Sequence, residues 1–251
     1  MLLATRVVFV RAMRLSLRNP TWIVIGLTQP ILYLALFGPL LRKMNQLPGF
    51  PPGSWWQVFV PGLLIQLGIF GALFVGFGLV AEYRAGVIEQ MRVTPAPRMA
   101  LLLGRVLRDV IVLVVQALVL TVAAVVFGMR APIVGVVVAF VLVALLGAAC
   151  ASVSYAVALI TKSEDVLAPL LNTVAVPVLL LSGILLPMSL APGWLRTLSE
   201  INPFSHVVDG IRSLFRGDFG SADTMWGLIV GAIIVALGLI FGARTFQRES
   251  A

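Results

Sequence analysis

The chain has 251 residues, of which 60% are hydrophobic and 11% are charged, and its formal net charge is +8 at pH 7. Soluble domains carry about 25% charged residues, and a single core of this size could not bury so much apolar surface. The composition therefore excludes an ordinary soluble domain. Because the basic residues stand between long uncharged runs, it also argues against a nucleic-acid partner.

The first 20 residues favour an amphipathic helix that lies on the inner membrane surface. At about 100° per residue, Arg11, Arg14 and Arg18 share one face, whereas Arg6 falls off it. Arginines on such a helix reach the lipid headgroups. The alternative is a plain basic flank of the first span. No apolar core with a cleavage site follows the arginines, so we expect the first span itself to direct insertion.

Six apolar segments are long enough to cross about 30 Å of hydrocarbon as helices. Barrel strands alternate over about ten residues, whereas residues 131–161 form one uncharged run. The sequence therefore predicts an all-α integral membrane protein with a single transmembrane domain over residues 1–251. We expect its spans at 21–41, 57–81, 99–129, 132–161, 166–186 and 224–244.

Lysine and arginine counts predict the orientation, because cytoplasmic flanks carry an excess of them. With six spans, both termini lie on one side of the membrane. That side would hold twelve of the 18 basic residues. We therefore expect a multi-pass protein of the cytoplasmic membrane with both termini in the cytoplasm. The other side would hold Arg42, Lys43, Arg130, Arg196, Arg212 and Arg216.

Residues 187–218 are too polar to form a span and too apolar for an ordinary loop. Trp194, Leu198 and Phe204 are among their apolar members. Irregular backbone at membrane depth requires surrounding protein. We expect one or two short helices that re-enter the outer leaflet between the fifth and sixth spans.

Small residues at four-residue spacing indicate close helix packing. The last span has Gly227 with Gly231 and Gly238 with Gly242. This pattern predicts a tight bundle without saying which span meets which.

Motifs for energy conversion and catalysis are missing from the sequence. A phosphate-binding loop needs G-x-x-x-x-G-K-[ST], and neither Lys43 nor Lys162 has the glycines in front. His206 and Cys150 are the sole histidine and cysteine, and no nucleophile elbow is present. We therefore expect no catalytic residue, no metal site and no cofactor in this chain, which is predicted not to be an enzyme.

Asp109 lies well inside the third span, whereas the other acidic residues lie at span ends or in loops. Ion-driven carriers bury acidic residues at mid-membrane. Arg105 stands four positions earlier on the same face, so we expect the two to pair. An ion-coupled secondary transporter and a membrane-embedded lipid-modifying enzyme remain alternatives.

The loop between the second and third spans, residues 82–98, carries charges of alternating sign. Val87, Ile88 and Met91 give it a short apolar stripe at helical spacing. Such a helix suits docking in a groove of another protein, and the alternative is a plain linker. Glu82 and Glu89 are two helical turns apart, so we expect them to anchor the loop on a partner.

The segments described above, in their order along the chain, resemble the type-two ABC exporter permeases, and the daunorubicin-resistance permease branch in particular. Arg84 departs from the sequence pattern of that family, because its members often have an acidic residue at this position. One stretch that carries the resemblance holds Glu82, Gly86, Glu89, Thr94, Pro95 and Arg98. The other holds Ser182, Gly183, Pro187, Pro192, Trp194, Leu195, Asn202, Pro203, Phe204, Asp209 and Arg212.

The resemblance implies an export permease for an amphipathic drug, lipid, polyketide or glycolipid. It implies that the coupling helix 82–98, together with the surface helix 1–18, contacts a separate ATPase subunit that binds Mg-ATP. Two ATPase copies would pair with two permease chains, the same or homologous, among membrane lipids. The implied ATPase-coupling residues are Glu82, Gly86, Glu89, Arg92, Thr94, Pro95 and Arg98.

The substrate-binding residues cannot be read from the sequence. Weak candidates are the uncharged polar residues Gln29, Gln66 and Asn172 inside the spans. A hydrogen bond between helices explains each of them better than a substrate contact does.

Overall fold

A computed structural model describes residues 1–19, 21–44, 46, 48, 50–86 and 97–249, and the regular structure in these ranges is helical throughout. This confirms the expected all-α fold. The helices are α1 Leu2–Arg18, α2 Thr21–Met44, α3 Trp55–Leu73, α4 Gly76–Arg84, α5 Arg98–Val126, α6 Ile133–Thr161, α7 Glu164–Leu181, α8 Gly193–Ile201, α9 Pro203–Arg216 and α10 Ala222–Glu249, with a short 3-10 turn at Met188–Leu190.

Within the described ranges, six segments are long and apolar enough to cross a membrane. Each overlaps one of the six expected spans, so the count is confirmed and the chain is a multi-pass membrane protein. Helix α1 precedes the first span, and α8 and α9 stand between the fifth and sixth. The segments are Ile23–Lys43, Trp55–Arg84, Arg98–Val126, Ile133–Thr161, Glu164–Leu181 and Ala222–Arg248.

Local sequence signals explain where two of the helices begin and end. A capping box opens α3, because Gln57 N donates to Ser54 Oγ at 3.4 Å and Ser54 N donates to Gln57 Oε1 at 3.0 Å. Asn202 caps α9 with its side chain, and Pro203 follows at a position that needs no N–H partner. Gly217, at φ +91°, ends α9 in the left-handed conformation.

The second span is broken at Phe74 and Val75 between α3 and α4, although the sequence predicts one continuous helix. Ser154 of α6 lies at the break, where its Oγ donates to Leu73 O and accepts from Gly76 N at 3.0 Å. An added Cβ on Gly76 would lie 2.7 Å from that Oγ, so the contact requires glycine. The break persists among apolar neighbours because Ser154 satisfies backbone groups on both sides of it.

The fifth span is shorter than predicted and ends at Leu181 rather than at residue 186. Ser182 and Gly183 form a turn in which Gly183 has φ +70°, a conformation that glycine adopts without strain. The chain then enters α8 and α9, in agreement with the expected pair of short helices. Their depth in the membrane stays a prediction.

Helix α6 lies at the centre of the bundle, where it contacts α3, α4, α5, α7, α9 and α10. Helix α10 approaches it closely through Gly238 and Gly242. A Cβ on Gly242 would lie 2.5 Å from Ser152 Cβ, and one on Gly238 would lie 2.9 Å from Ala149 Cβ. In contrast, α2 and α7 lie at the periphery with most of their span residues exposed.

Arg212 links α9 to α3 and to the turn after α7 through hydrogen bonds. Its Nε donates to Val58 O of α3 at 2.9 Å, its Nη2 donates to Gly183 O at 2.7 Å, and its Nη1 donates to Asp209 Oδ1 at 3.1 Å. Burial lowers the pKa of the guanidinium, while the Asp209 carboxylate opposes that shift. Arginine keeps its proton in proteins, so the buried cation is held by these three oxygens.

Candidate functional site

The first helix, the end of α10 and both flanks of the predicted coupling loop meet at one end of the bundle, here called the terminal end. Arg98 Nη1, at the start of α5, donates to Gln247 O near the end of α10 at 3.1 Å. Gly104 of α5 lies against α1, since an added Cβ would be 2.8 Å from Val8 Cβ. The opposite end holds Gln57 and the turn that joins α5 to α6.

The structure describes part of the predicted ATPase-coupling set. Glu82 and Gly86 lie at the end of α4, and Arg98 is the first residue of α5. The remaining members lie outside the described residues, and their roles stay predictions. These are Glu89, Arg92, Thr94 and Pro95.

Glu82 faces into the bundle. Its Oε2 accepts from Arg105 Nη2 of α5, and the two side chains are 33% and 9% exposed. Solvent screens such a pair weakly. Within this chain Glu82 joins the two helices that flank the loop. Its expected role in anchoring the loop on another protein stays a prediction.

The next two residues of α4 contact other parts of the terminal end. Lys162 Nζ, just after α6, lies 5.5 Å from the centroid of the Tyr83 ring, within cation–π range. Arg84 Nη1 lies 3.9 Å from Glu164 Oε1 at the start of α7, and both side chains are largely exposed. Arg84, the departure from the family pattern, thus has a partner inside this chain. Consecutive residues of α4 therefore reach α5, the α6–α7 turn and α7.

Asp109 is buried on α5 close to this cluster. Tyr155 Oη of α6 donates to its Oδ2 at 2.5 Å, and Arg108 Nη1 lies 3.1 Å from its Oδ1. Arg105, the partner expected from the helical spacing, forms an ion pair with Glu82, and its positive charge also acts on Asp109. The position of Asp109 between a tyrosine and an arginine makes it a structural link from α5 to α6. This argues against a free acid that relays ions.

Gly86 follows α4 with φ +70°, and an added Cβ would have nothing within 4 Å. Among the described residues, the positive φ of this turn is therefore the reason for a glycine at position 86.

The free face of α1 is both basic and apolar. Val8 and Phe9 lie against α5 at Gly104, and the other side of α1 carries arginines interleaved with leucines and valines. The residues on this side are Leu3, Arg6, Val7, Val10, Arg11, Arg14, Leu15 and Arg18.

The three weak substrate candidates have different surroundings, and their role in substrate binding stays a prediction. Gln29 Nε2 donates to Tyr33 Oη at 3.2 Å on α2, and Asn172 Nδ2 donates to Ala168 O at 3.0 Å on α7. Both bonds are local to one helix. Gln66 of α3 is 2% exposed, and its Oε1 has no hydrogen-bond partner within the described part of the chain.

Sequence reasoning did not identify two residues of α6 that form hydrogen bonds with the neighbouring helices. Ser154 and Tyr155 lie in a long uncharged run, where a hydroxyl group is a weak signal. Their partners stand 46 to 81 positions away in the sequence. Among the described residues, no group of three or more His, Cys, Asp or Glu side chains is placed to hold a metal ion.

Known proteins resemble this chain over most of its length. The family model described as ABC-2 type transporter matches residues 4–215. A daunorubicin resistance ABC transporter permease protein of Streptomyces coeruleorubidus is 25% identical over 247 residues, which cover 96% of this chain and 85% of that protein. A putative transport permease of Cyanophora paradoxa is 26% identical over 200 residues, or 79% of this chain and 69% of the relative.

A probable doxorubicin resistance ABC transporter permease protein of Mycobacterium tuberculosis shows the same level of similarity. It is 26% identical over 229 residues, which cover 88% of this chain and 81% of that protein. Both resistance proteins are described as permeases, so the similarity extends to the kind of subunit.

Proposed function

This chain belongs to the ABC-2 type transporter family, and on that basis we propose that it is the membrane permease subunit of an ATP-driven exporter. Its substrate is an amphipathic drug, lipid, polyketide or glycolipid, taken from the cytoplasm or the inner leaflet. The observation that carries the proposal is the family match over residues 4–215 of a six-span bundle. Family membership favours this function over an ion-coupled carrier or a lipid-modifying enzyme.

The energy comes from a separate ATPase subunit that holds the Mg-ATP. Support lies in the sequence, since neither lysine of the chain belongs to a phosphate-binding loop. The ATPase docks at the terminal end, on the loop between α4 and α5. Two ATPase copies serve two permease chains, the same or homologous, in the cytoplasmic membrane. ATP binding then favours one of two arrangements of the paired bundles.

The terminal end faces the cytoplasm, with both chain termini and the coupling loop on that side. The excess of arginine there supports this orientation. The arginine row of α1 lies against anionic lipid headgroups, while the leucines and valines between the arginines enter the boundary of the acyl chains.

The function is tested in everted membrane vesicles from cells with and without this chain. The probes are doxorubicin and a fluorescent phospholipid. We expect ATP-dependent accumulation of at least one probe that requires the chain and persists with a protonophore. Accumulation that needs no ATP and collapses with the protonophore would instead establish an ion-coupled carrier.

A further inference from the structure

Helix α1 and the start of α2 run alongside α5 in the same direction. An added Cβ on Gly104 would lie 2.8 Å from Val8 Cβ, and Gln116 Nε2 donates to Ile23 O at 2.9 Å. Between these contacts α5 advances from residue 104 to residue 116, which is about 18 Å along its axis. The neighbouring chain advances from residue 8 to residue 23 over the same distance. Residues one helical turn beyond the first contact therefore stand at the same level on the two helices.

Arg108 and Arg11 are the charged residues at that level. Arg108 stands four residues after Gly104, and Arg11 stands three residues after Val8. Arg11 is exposed, and the Arg108 side chain is 28% exposed. Helix α1 has arginines but no acidic residue. Two cations beside one crevice repel each other unless an anion lies between them.

The guanidinium group of Arg108 is only partly used within the chain. Its Nη1 lies 3.1 Å from Asp109 Oδ1, whereas its Nε is buried without a hydrogen-bond partner among the described residues. The edge that carries Nε also carries a donor from Nη2, and such a two-donor edge matches two oxygens of a phosphate group. Because an unpaired buried donor is costly, this edge suits an oxyanion from outside the chain.

The depth of Arg108 fits the phosphate of a phospholipid. Arg108 stands four residues before the midpoint of α5, which is about 6 Å along the helix. Its side chain leans toward the start of α5. With α5 centred in the bilayer, the guanidinium thus approaches the edge of the hydrocarbon, which lies about 15 Å from the centre.

An exposed apolar row continues from Arg108 toward the middle of α5. It consists of Leu107, Ile111 and Val115, whose spacing of four residues places them along one side of the helix. Acyl chains that follow this row would extend from a phosphate held at Arg108.

We propose that Arg108 and Arg11 bind the phosphate group of an anionic phospholipid in the crevice between α1 and α5. The lipid comes from the leaflet at the terminal end, and its acyl chains lie along the apolar row of α5. A phospholipid is favoured over a free phosphate ion because this row begins beside the arginine pair. The inference goes beyond the proposed function, since the site binds lipid whatever the chain exports.

The test is native mass spectrometry of the full-length chain in detergent, titrated with phosphatidylglycerol. Zwitterionic phosphatidylcholine and inorganic phosphate are the comparison ligands. The variants are Arg108→Gln, Arg108→Lys and Arg11→Gln. The matched control is Arg196→Gln, since Arg196 is an exposed arginine of α8, between the fifth and sixth spans.

We expect the wild type and the control to bind phosphatidylglycerol more tightly than phosphatidylcholine, without displacement by inorganic phosphate. Arg108→Gln should weaken this binding by at least about tenfold, as expected for lost hydrogen bonds to a charged group. Arg108→Lys should not restore it, because lysine offers a point charge instead of a fork. Arg11→Gln, which removes an exposed charge near the membrane, should weaken it by about fivefold.

Equal phosphatidylglycerol binding by the wild type, Arg108→Gln and Arg11→Gln would overturn the site. Equally tight binding of phosphatidylcholine, or full binding by Arg108→Lys, would also contradict it. Displacement by inorganic phosphate would assign the arginines to a free anion instead of a lipid. If Arg108→Gln does not fold, Arg108→Lys and Arg11→Gln decide. The readout is lipid binding alone, so a negative result would leave the proposed exporter function standing.

Discussion

At the scale of single residues, both glutamates of the coupling loop are predicted to meet the ATPase. Glu82 also forms an ion pair with Arg105 inside the chain, so Glu89 is the simpler position for a test. Glu89→Lys would place a cation opposite a basic or polar groove, and unfavourable charge pairs cost several kcal/mol at an interface. We expect the variant to insert into the membrane but to lose co-purification with the ATPase.

The matched control for this charge reversal is Glu200→Lys. Glu200 is exposed on α8, where its partner is Arg196. The control should leave the complex intact. A Glu89→Lys chain that assembles and exports normally would show that the loop is only a linker.

Arg212 stabilises the end of the bundle opposite the terminal end through its hydrogen bonds. Arg212→Ala removes the donor to Gly183 O and the link from α9 to Val58 O. A buried acceptor left without a donor costs about 1–3 kcal/mol. We expect the midpoint of thermal unfolding in detergent to fall, while Arg196→Ala, at an exposed pair worth about 0–1 kcal/mol, should leave it nearly unchanged. Equal midpoints for both variants would contradict the anchoring role.

At the scale of elements, the approach of α10 to α6 depends on glycine. A Cβ at position 242 would lie 2.5 Å from Ser152 Cβ and 2.7 Å from Ser152 O, so even alanine forces the helices apart. We expect Gly242→Ala to lower the unfolding midpoint in detergent by an amount that corresponds to about 1–3 kcal/mol of overpacking.

The control is Gly78→Ala in α4, where an added Cβ would have no described atom within 4 Å. Alanine has the higher helix propensity, so this substitution should be neutral or slightly stabilising. A Gly242→Ala protein as stable as Gly78→Ala would mean that α10 does not pack on α6 as described.

At the scale of the whole molecule, the orientation is tested with single cysteines in a Cys150→Ala background. Arg92→Cys lies in the coupling loop, and Arg196→Cys lies on α8. We expect a membrane-impermeant maleimide to label Arg196→Cys in intact cells and Arg92→Cys only after permeabilisation. The Cys150→Ala chain should stay unlabelled. The reverse pattern would invert the proposed topology.

The proposed coupling loop could be predicted only as a position in the chain. The charge alternation of residues 82–98 and the family resemblance single it out, and the structure has spans on either side of it. The partner of each charged side chain could not be predicted, because it depends on which helices face each other in the fold. Glu82 meets Arg105 across two helices, whereas the helical spacing describes only neighbours on one helix, such as Arg105 and Asp109.

The sequence by itself determined the class of protein, the number of spans and the presence of short helices between the last two. These features follow from the length and polarity of continuous segments, because the bilayer demands about 20 apolar residues and internally paired backbone from each span. Capping at Ser54 and Asn202 is local as well.

Only the tertiary structure decided the partners of the small and polar residues. The glycines of α10 were recognisable as packing positions, yet Gly227 meets Gly210 of α9 while Gly242 meets Ser152 of α6. The break before α4 depends on Ser154, whose hydroxyl bonds the carbonyl oxygen of a residue 81 positions earlier in the chain. A sequence pattern gives the face on which a side chain lies, whereas the neighbour of that face is set by how all the helices pack together.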